Sequence, residues 1–160
     1  MKYADARPLI QSGAVIAWSH RKIRSLYDFK VMLVRLFTMS EYCHVGIVLV
    51  MGGRVWVLEA VTPRVRLVPL SNLLPCYHLT GLGMTDEQVE AGLALVGKDG
   101  VEYSRGDAVK AYFGYNNRAD GDISCAEFVN TILDLPCLDT PSATVDFMLQ
   151  NSSTLTEIQP

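Results

Sequence analysis

The spacing of apolar residues changes several times along the chain, and each change marks an element. Gly13-Ala-Val-Ile-Ala-Trp18 is a short apolar, β-rich run entered through Ser12-Gly13 and left at Ser19-His20, which predicts a buried strand. From Lys22 to about Thr38 the residues Ile23, Leu26, Tyr27, Val31, Val34 and Phe37 recur at helical spacing. Met32, Leu33 and Leu36 widen that face, as suits a helix covered on more than one side or bordering a cleft. Next come CHVGIVLV, then Met51-Gly-Gly-Arg54, then VWVLEAV, two strand-like runs joined by a Gly-Gly turn, which predict a β-hairpin. Further strands are expected over Arg64 to Pro69 and Cys76 to Thr80, each entered just after a proline.

The second half of the chain turns helical. Thr85-Asp-Glu-Gln88 has the T-x-x-Q form of a capping box and predicts a helix running to about Gly97. Asp107 to Tyr112 is expected to be a shorter helix, followed by a turn-rich stretch from Tyr115 to Gly121. Ser124-Cys-Ala-Glu127 is a second capping box, opening a helix with Phe128, Val129, Ile132 and Leu133 on its apolar side and Pro136 as its stop. The last ten residues, NSSTLTEIQP, are polar and are expected to form a loosely held tail, 151–160, after one domain spanning 1–150. The pattern as a whole is α+β, a small and mostly antiparallel sheet packed against helices.

Composition narrows the class. At 160 residues and 49% hydrophobic the chain can bury a substantial core in a single domain. A formal net charge of −3 gives no general attraction for a phosphate backbone, and the Arg21-Lys-Ile-Arg24 cluster reads as a solvated helix end, so nucleic acid is not an expected partner. No charged segment precedes a long apolar core at the start, and no run reaches the ~18 apolar residues of a membrane span. A cytoplasmic location is the default expectation, with export by another route left open. Cysteines 43, 76, 125 and 137 lie far apart with no CxxC pair, which argues against a metal knuckle and a disulfide framework.

Chemistry enters through the hairpin register. With Gly52-Gly53 as the turn, Met51 faces Arg54, Gly46 faces Glu59 and Val61 faces His44. Strand alternation then puts His44 and Glu59 on one face as diagonal neighbours, roughly 7 Å apart at Cα, with the bare Gly46 between them. A carboxylate bonded to one imidazole nitrogen fixes ring and tautomer and leaves the other nitrogen as a base. A one-residue slip would put the two on opposite faces. Cys125 is the candidate nucleophile: as the first residue after the Ser124 cap it sits where free N–H groups and the helix dipole favour a thiolate. The apolar side of its helix should pack on the sheet that carries His44.

Each residue alone has an ordinary reading: Cys125 as a small buried side chain, His44 as a hydrogen-bonded core residue, Glu59 as a strand-end group reaching water. Their conjunction is what suggests chemistry. Zinc bound by Cys43, His44, Cys76 and His78 is disfavoured, because adjacent strand residues point to opposite faces. Cys137, His20 and His78 have no evident partners in the sequence.

The runs CHVGIVLV and VWVLEAV, followed far downstream by ISCAEFVNTIL, resemble the circularly permuted, YaeF/YiiX-type branch of the NlpC/P60 papain-like cysteine peptidases and amidases. The resemblance spans the chain from the Gly13 strand to Pro136. It implies a permuted papain-like topology with Cys125 as nucleophile, His44 as general base, Glu59 as the group orienting it, and Tyr103 as an aid to oxyanion binding beside the Cys125 backbone N–H. No metal or other cofactor is expected, and the resemblance implies a peptide, peptidoglycan fragment or acyl-lipid as substrate. Cys43 stands where such proteins usually have serine, and Ala126 follows the nucleophile where serine is common; Cys43 should therefore point away from the site. The alternative is a catalytically silent peptide- or lipid-binding module of the same fold.

Overall fold

The computed structural model describes residues 1–19, 41–61, 64–97, 124–136, 138 and 140–160. The expected helices over 22–38 and 107–112, the 21–24 basic cluster, His20, Tyr103 and Cys137 lie outside the described residues.

Among the described residues six strands form one antiparallel sheet: β1 (Val15–Trp18), β2 (His44–Met51), β3 (Arg54–Val61), β4 (Arg64–Pro69), β5 (Cys76–Leu79) and β6 (Leu155–Ile158), in the order β4-β3-β2-β1-β5-β6. From β1 the chain meanders outward to the β4 edge, then returns to add β5 on β1's other side. Four helices accompany it among the described residues: α1 (Tyr3–Ala6), α2 (Asp86–Ala94), α3 (Cys125–Ile132) and α4 (Pro141–Gln150). The architecture is α+β.

Local chemistry explains the element ends. Gly52 and Gly53 have φ of +57° and +71°, the pair of positive values that a two-residue type I′ turn needs, and Met51 pairs with Arg54 as expected. Both capping boxes form. Thr85 Oγ1 accepts from the Gln88 N–H while Gln88 accepts from Thr85, and Ser124 and Glu127 do the same at the head of α3. The α3 helix ends at Ile132, four residues before Pro136. Asp134 takes φ +54° and the Leu135 N–H bonds back to the Asn130 carbonyl, so a Schellman-type cap ends the helix and the proline follows it.

Two cores sandwich the sheet. Val15, Ala17, Val45, Ile47, Leu49, Leu58 and Ala60 meet Phe128, Val129 and Ile132 of α3 and Val145 and Met148 of α4. On the other face Ile16, Val48, Val55, Val57, Cys76 and Ile158 are covered by Ala6, Ile10 and Leu70. The α3 helix thus packs on the sheet that carries His44, but against the face of Val45 and Ile47, the neighbours that alternate with His44 and Gly46 along β2.

Two elements depart from the sequence pattern. The segment 151–160, expected to be a loose tail, contains β6, which pairs with β5 from Cys76↔Ile158 to Leu79↔Leu155. Its composition is polar because it is an edge strand, with Ile158 alone fully buried; the N-terminal ammonium donates to the Glu157 carbonyl at 2.8 Å and holds the strand from outside. Helix α4 begins with Thr140 accepting from the Ala143 N–H and with Pro141 in the first turn, a start signal present in the sequence. Its weak apolar periodicity hides that signal.

Gly46 is fixed by packing. A Cβ there would lie 2.8 Å from Val57 Cγ1 and 3.2 Å from Glu59 Cβ, inside a sheet with no exposed side to yield. Gly46→Ala should therefore cost about 1–3 kcal/mol by overpacking, read as a lower denaturant midpoint at unchanged slope. A wild-type midpoint would contradict the close approach.

Candidate active site

Three strands bring the charged groups together. His44 is the first residue of β2, and Glu59 lies on the neighbouring β3, on the face of Gly46 as the register requires. The His44 Nε2–H donates to Glu59 Oε2 at 2.7 Å. Glu59 is 2% exposed, so its carboxylate needs charged or hydrogen-bonding partners to stay ionised. Its second oxygen, Oε1, accepts from Arg66 Nε at 2.8 Å and lies 2.7 Å from Arg66 Nη2. Arg66 is the residue that β4 pairs directly with Glu59.

The histidine ring is held on other sides too. Trp18, its direct partner on β1, lies with ring centroids 5.2 Å apart and planes inclined by 32°, and the Trp18 indole N–H is anchored on the Leu73 carbonyl at 2.8 Å. Cys125 acts on the same imidazole, favouring its charged form. Since Glu59 occupies Nε2, Nδ1 is the nitrogen left to face the sulfur. Cys125 is 1% exposed at the head of α3, so the helix meets the ring at the end of the sheet where β2 starts.

The electrostatics follow from these contacts. Burial opposes protonation of His44, but hydrogen bonds and charge from Cys125 and Glu59 outweigh it and carry the imidazole up to about 9. Burial alone would raise Glu59; its bonds to His44 and Arg66 overcome that and hold the carboxyl below the usual range. The arrangement is a cation–anion–cation chain with a thiol at its end, and it can keep an imidazolium beside a sulfur at neutral pH.

The other candidates separate from this centre. Cys43 Sγ donates to the Trp18 carbonyl at 3.2 Å. Cys76 is buried on β5, where burial pushes its thiol up to about 12. His78 is buried two residues further along the same strand, its Nε2 without a hydrogen-bond partner among the described residues and burial lowering its pKa. Among the described residues no three His, Cys, Asp or Glu side chains come together in a way that could hold a metal ion, and no helix is long and apolar enough to cross a membrane. Tyr103 is outside the described residues.

Sequence reasoning missed Arg66 and Trp18. Continuing the hairpin register across Pro63 would have placed Arg66 opposite Glu59, because the two sit symmetrically about the β3–β4 connection. Trp18 could not be placed, since nothing local says that β1 pairs with β2.

No protein-family model and no curated protein matches the sequence. Among solved structures the fold is similar to that of YiiX from Escherichia coli O157:H7, described as a metalloprotein. Identity is 21% and the TM-score 0.49, over 76% of this chain and 63% of the YiiX chain. The chain therefore spans under two thirds of that protein.

Removing the sulfur should lower the His44 pKa. In Cys125→Ala the imidazole should titrate clearly below about 9, with Glu59 still raising it; the ring C–H proton shifts across a pH series measure this. Stability follows with a definite sign. The folded pKa lies above the ordinary 6.5, so the contribution of His44 is complete below pH 6.5 and is lost as pH rises through about 9. A His44 midpoint identical in wild type and Cys125→Ala would contradict the contact.

Proposed function

We propose that this chain is a cysteine hydrolase that cleaves an amide or ester through an acyl-enzyme on Cys125. The observation that carries the reading is a single imidazole held between a buried carboxylate and the sulfur at the head of a capped helix. A structural histidine would need one partner; this ring has Glu59 on Nε2 and is acted on as well by Cys125, the potential nucleophile.

The steps follow from the groups present. A Cys125 thiolate paired with the His44 imidazolium attacks the carbonyl carbon, forming the C–S bond. Charge collects on the carbonyl oxygen, next to the N-terminal N–H groups of α3, where the Cys125 N–H is the proposed donor. The imidazolium gives its proton to the leaving amine or alcohol as the C–N or C–O bond breaks. Neutral His44 then takes a proton from water, which attacks the thioester; the acid departs and the thiolate–imidazolium pair is restored. Glu59 keeps the ring facing the sulfur throughout, and the family resemblance adds Tyr103 as a second oxyanion donor.

Substrate class rests on the same resemblance. Peptidoglycan stem peptides are the first choice, with lipid amides, esters and protein isopeptides as the other acyl donors that the resemblance brings. The order along the chain, histidine strand, acid strand, cysteine helix, fits the permuted papain-like arrangement.

Cys125→Ala should abolish both hydrolysis of these acyl donors and labelling by a thiol-directed probe, while Cys43→Ala keeps both. Cys76 should stay unlabelled in the folded protein, because its thiol is buried and held protonated. Labelling of Cys43 or Cys76 in place of Cys125 would sink the mechanism. In wild type, kcat/KM should fall as pH rises through about 9, where His44 loses the proton that the leaving group needs.

A further inference from the structure

We infer that Arg66 is a fourth, positioning member of the site: from the edge strand it fixes the Glu59 carboxylate and keeps it ionised through the stage of the reaction in which His44 is neutral. The inference rests on the hydrolase reading above and adds to it a residue whose effect is felt through Glu59 alone.

The geometry is specific. Two guanidinium nitrogens, Nε at 2.8 Å and Nη2 at 2.7 Å, converge on Glu59 Oε1, and the other oxygen, Oε2, is left to His44. The carboxylate is therefore locked in rotation, and with it the ring that it holds. Cross-strand register sets the pair, Glu59 opposite Arg66, so no loop has to order for it to form. Arg66 is 49% exposed, with its stem on the sheet edge and its head reaching inward, whereas Glu59 is 2% exposed. The arginine is the only cation that β4 presents directly opposite Glu59; Arg64, two residues along, pairs with Val61.

The need for it appears in the catalytic cycle. With Cys125 as thiolate and His44 protonated, Glu59 has a cationic neighbour in the imidazolium. Once the proton has passed to the leaving group, Cys125 is an uncharged thioester and His44 an uncharged base. A buried carboxylate with no other partner would then compete for any proton that the imidazole draws from water. Arg66 supplies a permanent positive charge, since a guanidinium does not titrate in this range, so Glu59 stays an acceptor while His44 acts as base. A neutral amide in place of Glu59 would need no such cation.

Among the described residues the charged groups facing Glu59 are thus His44 from β2 and Arg66 from β4, with Cys125 of α3 acting through His44. Removing the arginine raises the proton affinity of the carboxylate, which gives the test its sign.

The test uses Arg66→Gln, which keeps the bulk of the side chain, and Arg66→Lys, which keeps the charge without the two-nitrogen fork. Arg54→Ala, a cation lost from the same hairpin, is the control. The Glu59 carboxyl carbon, isotopically labelled and followed by NMR through a pH series, should titrate at least one unit higher in Arg66→Gln and close to wild type in Arg66→Lys. In kinetics, Arg66→Gln should lower kcat by roughly tenfold or more with KM little changed, as expected for a group acting through the acid–base pair. Its acid limb of kcat/KM should move upward in pH, and Arg66→Lys should restore the limb. A Glu59 midpoint in Arg66→Gln equal to that in wild type and Arg54→Ala overturns the inference, even if hydrolysis by Cys125 holds. Absence of hydrolysis in wild type overturns the hydrolase reading, and the catalytic role of Arg66 falls with it; the carboxyl titration then still reports whether Arg66 holds Glu59 charged.

Discussion

A carboxylate almost wholly removed from water is the constraint around which the rest of this structure is arranged. Glu59 lies in the third strand among valines and leucines, where an ionised group left alone would cost several kcal/mol. Two strands answer that cost, β2 with the His44 ring and β4 with the Arg66 fork. Each answer depends on register, because a slip of one residue in either pairing would leave the charge facing apolar side chains. The Gly-Gly turn that sets one register and the glycine that opens the path between ring and carboxylate are therefore part of the same electrostatic device.

Satisfying the charge also orients the ring. With Nε2 committed to Glu59 and one face lying against Trp18, the imidazole has little freedom left, and its other nitrogen looks toward the head of α3. There the capping box of Ser124 and Glu127 settles where the helix begins and so where Cys125 stands. The sulfur and the ring approach from opposite sides of the sheet, the helix resting on the Val45 and Ile47 face and the ring belonging to the alternate one. They can meet because His44 is the first residue of its strand. Deeper in β2 the sheet itself would stand between them.

Much of this was legible locally. The hairpin, its turn and its register followed from Gly52-Gly53 between two apolar runs, and β4 was placed from Arg64 to Pro69 as it occurs. Both capping boxes formed, since each side chain needs only the backbone N–H of a residue three positions away. The failures have a common character. The strand β6 is polar in composition because half its surroundings are solvent, and it exists only because β5 offers an open edge. Helix α4 carries a sound start signal but little periodicity, being held by capping and by the Thr144 bond to Asn130 as well as by its apolar residues.

The sequence by itself determined whatever depends on neighbours a few residues away: turn conformation, helix starts, alternation along a strand, and hence that His44 and Glu59 share a face. Only the tertiary structure decided that β1 lies beside β2, laying Trp18 against the ring, and that α3 ends its approach at the start of β2 with Cys125 against His44. It also turned an edge-strand arginine from a surface charge into the partner of a buried one. Local rules fix conformations through short-range hydrogen bonds and sterics; which distant elements meet is set by burial of apolar faces, and that is a property of the whole chain.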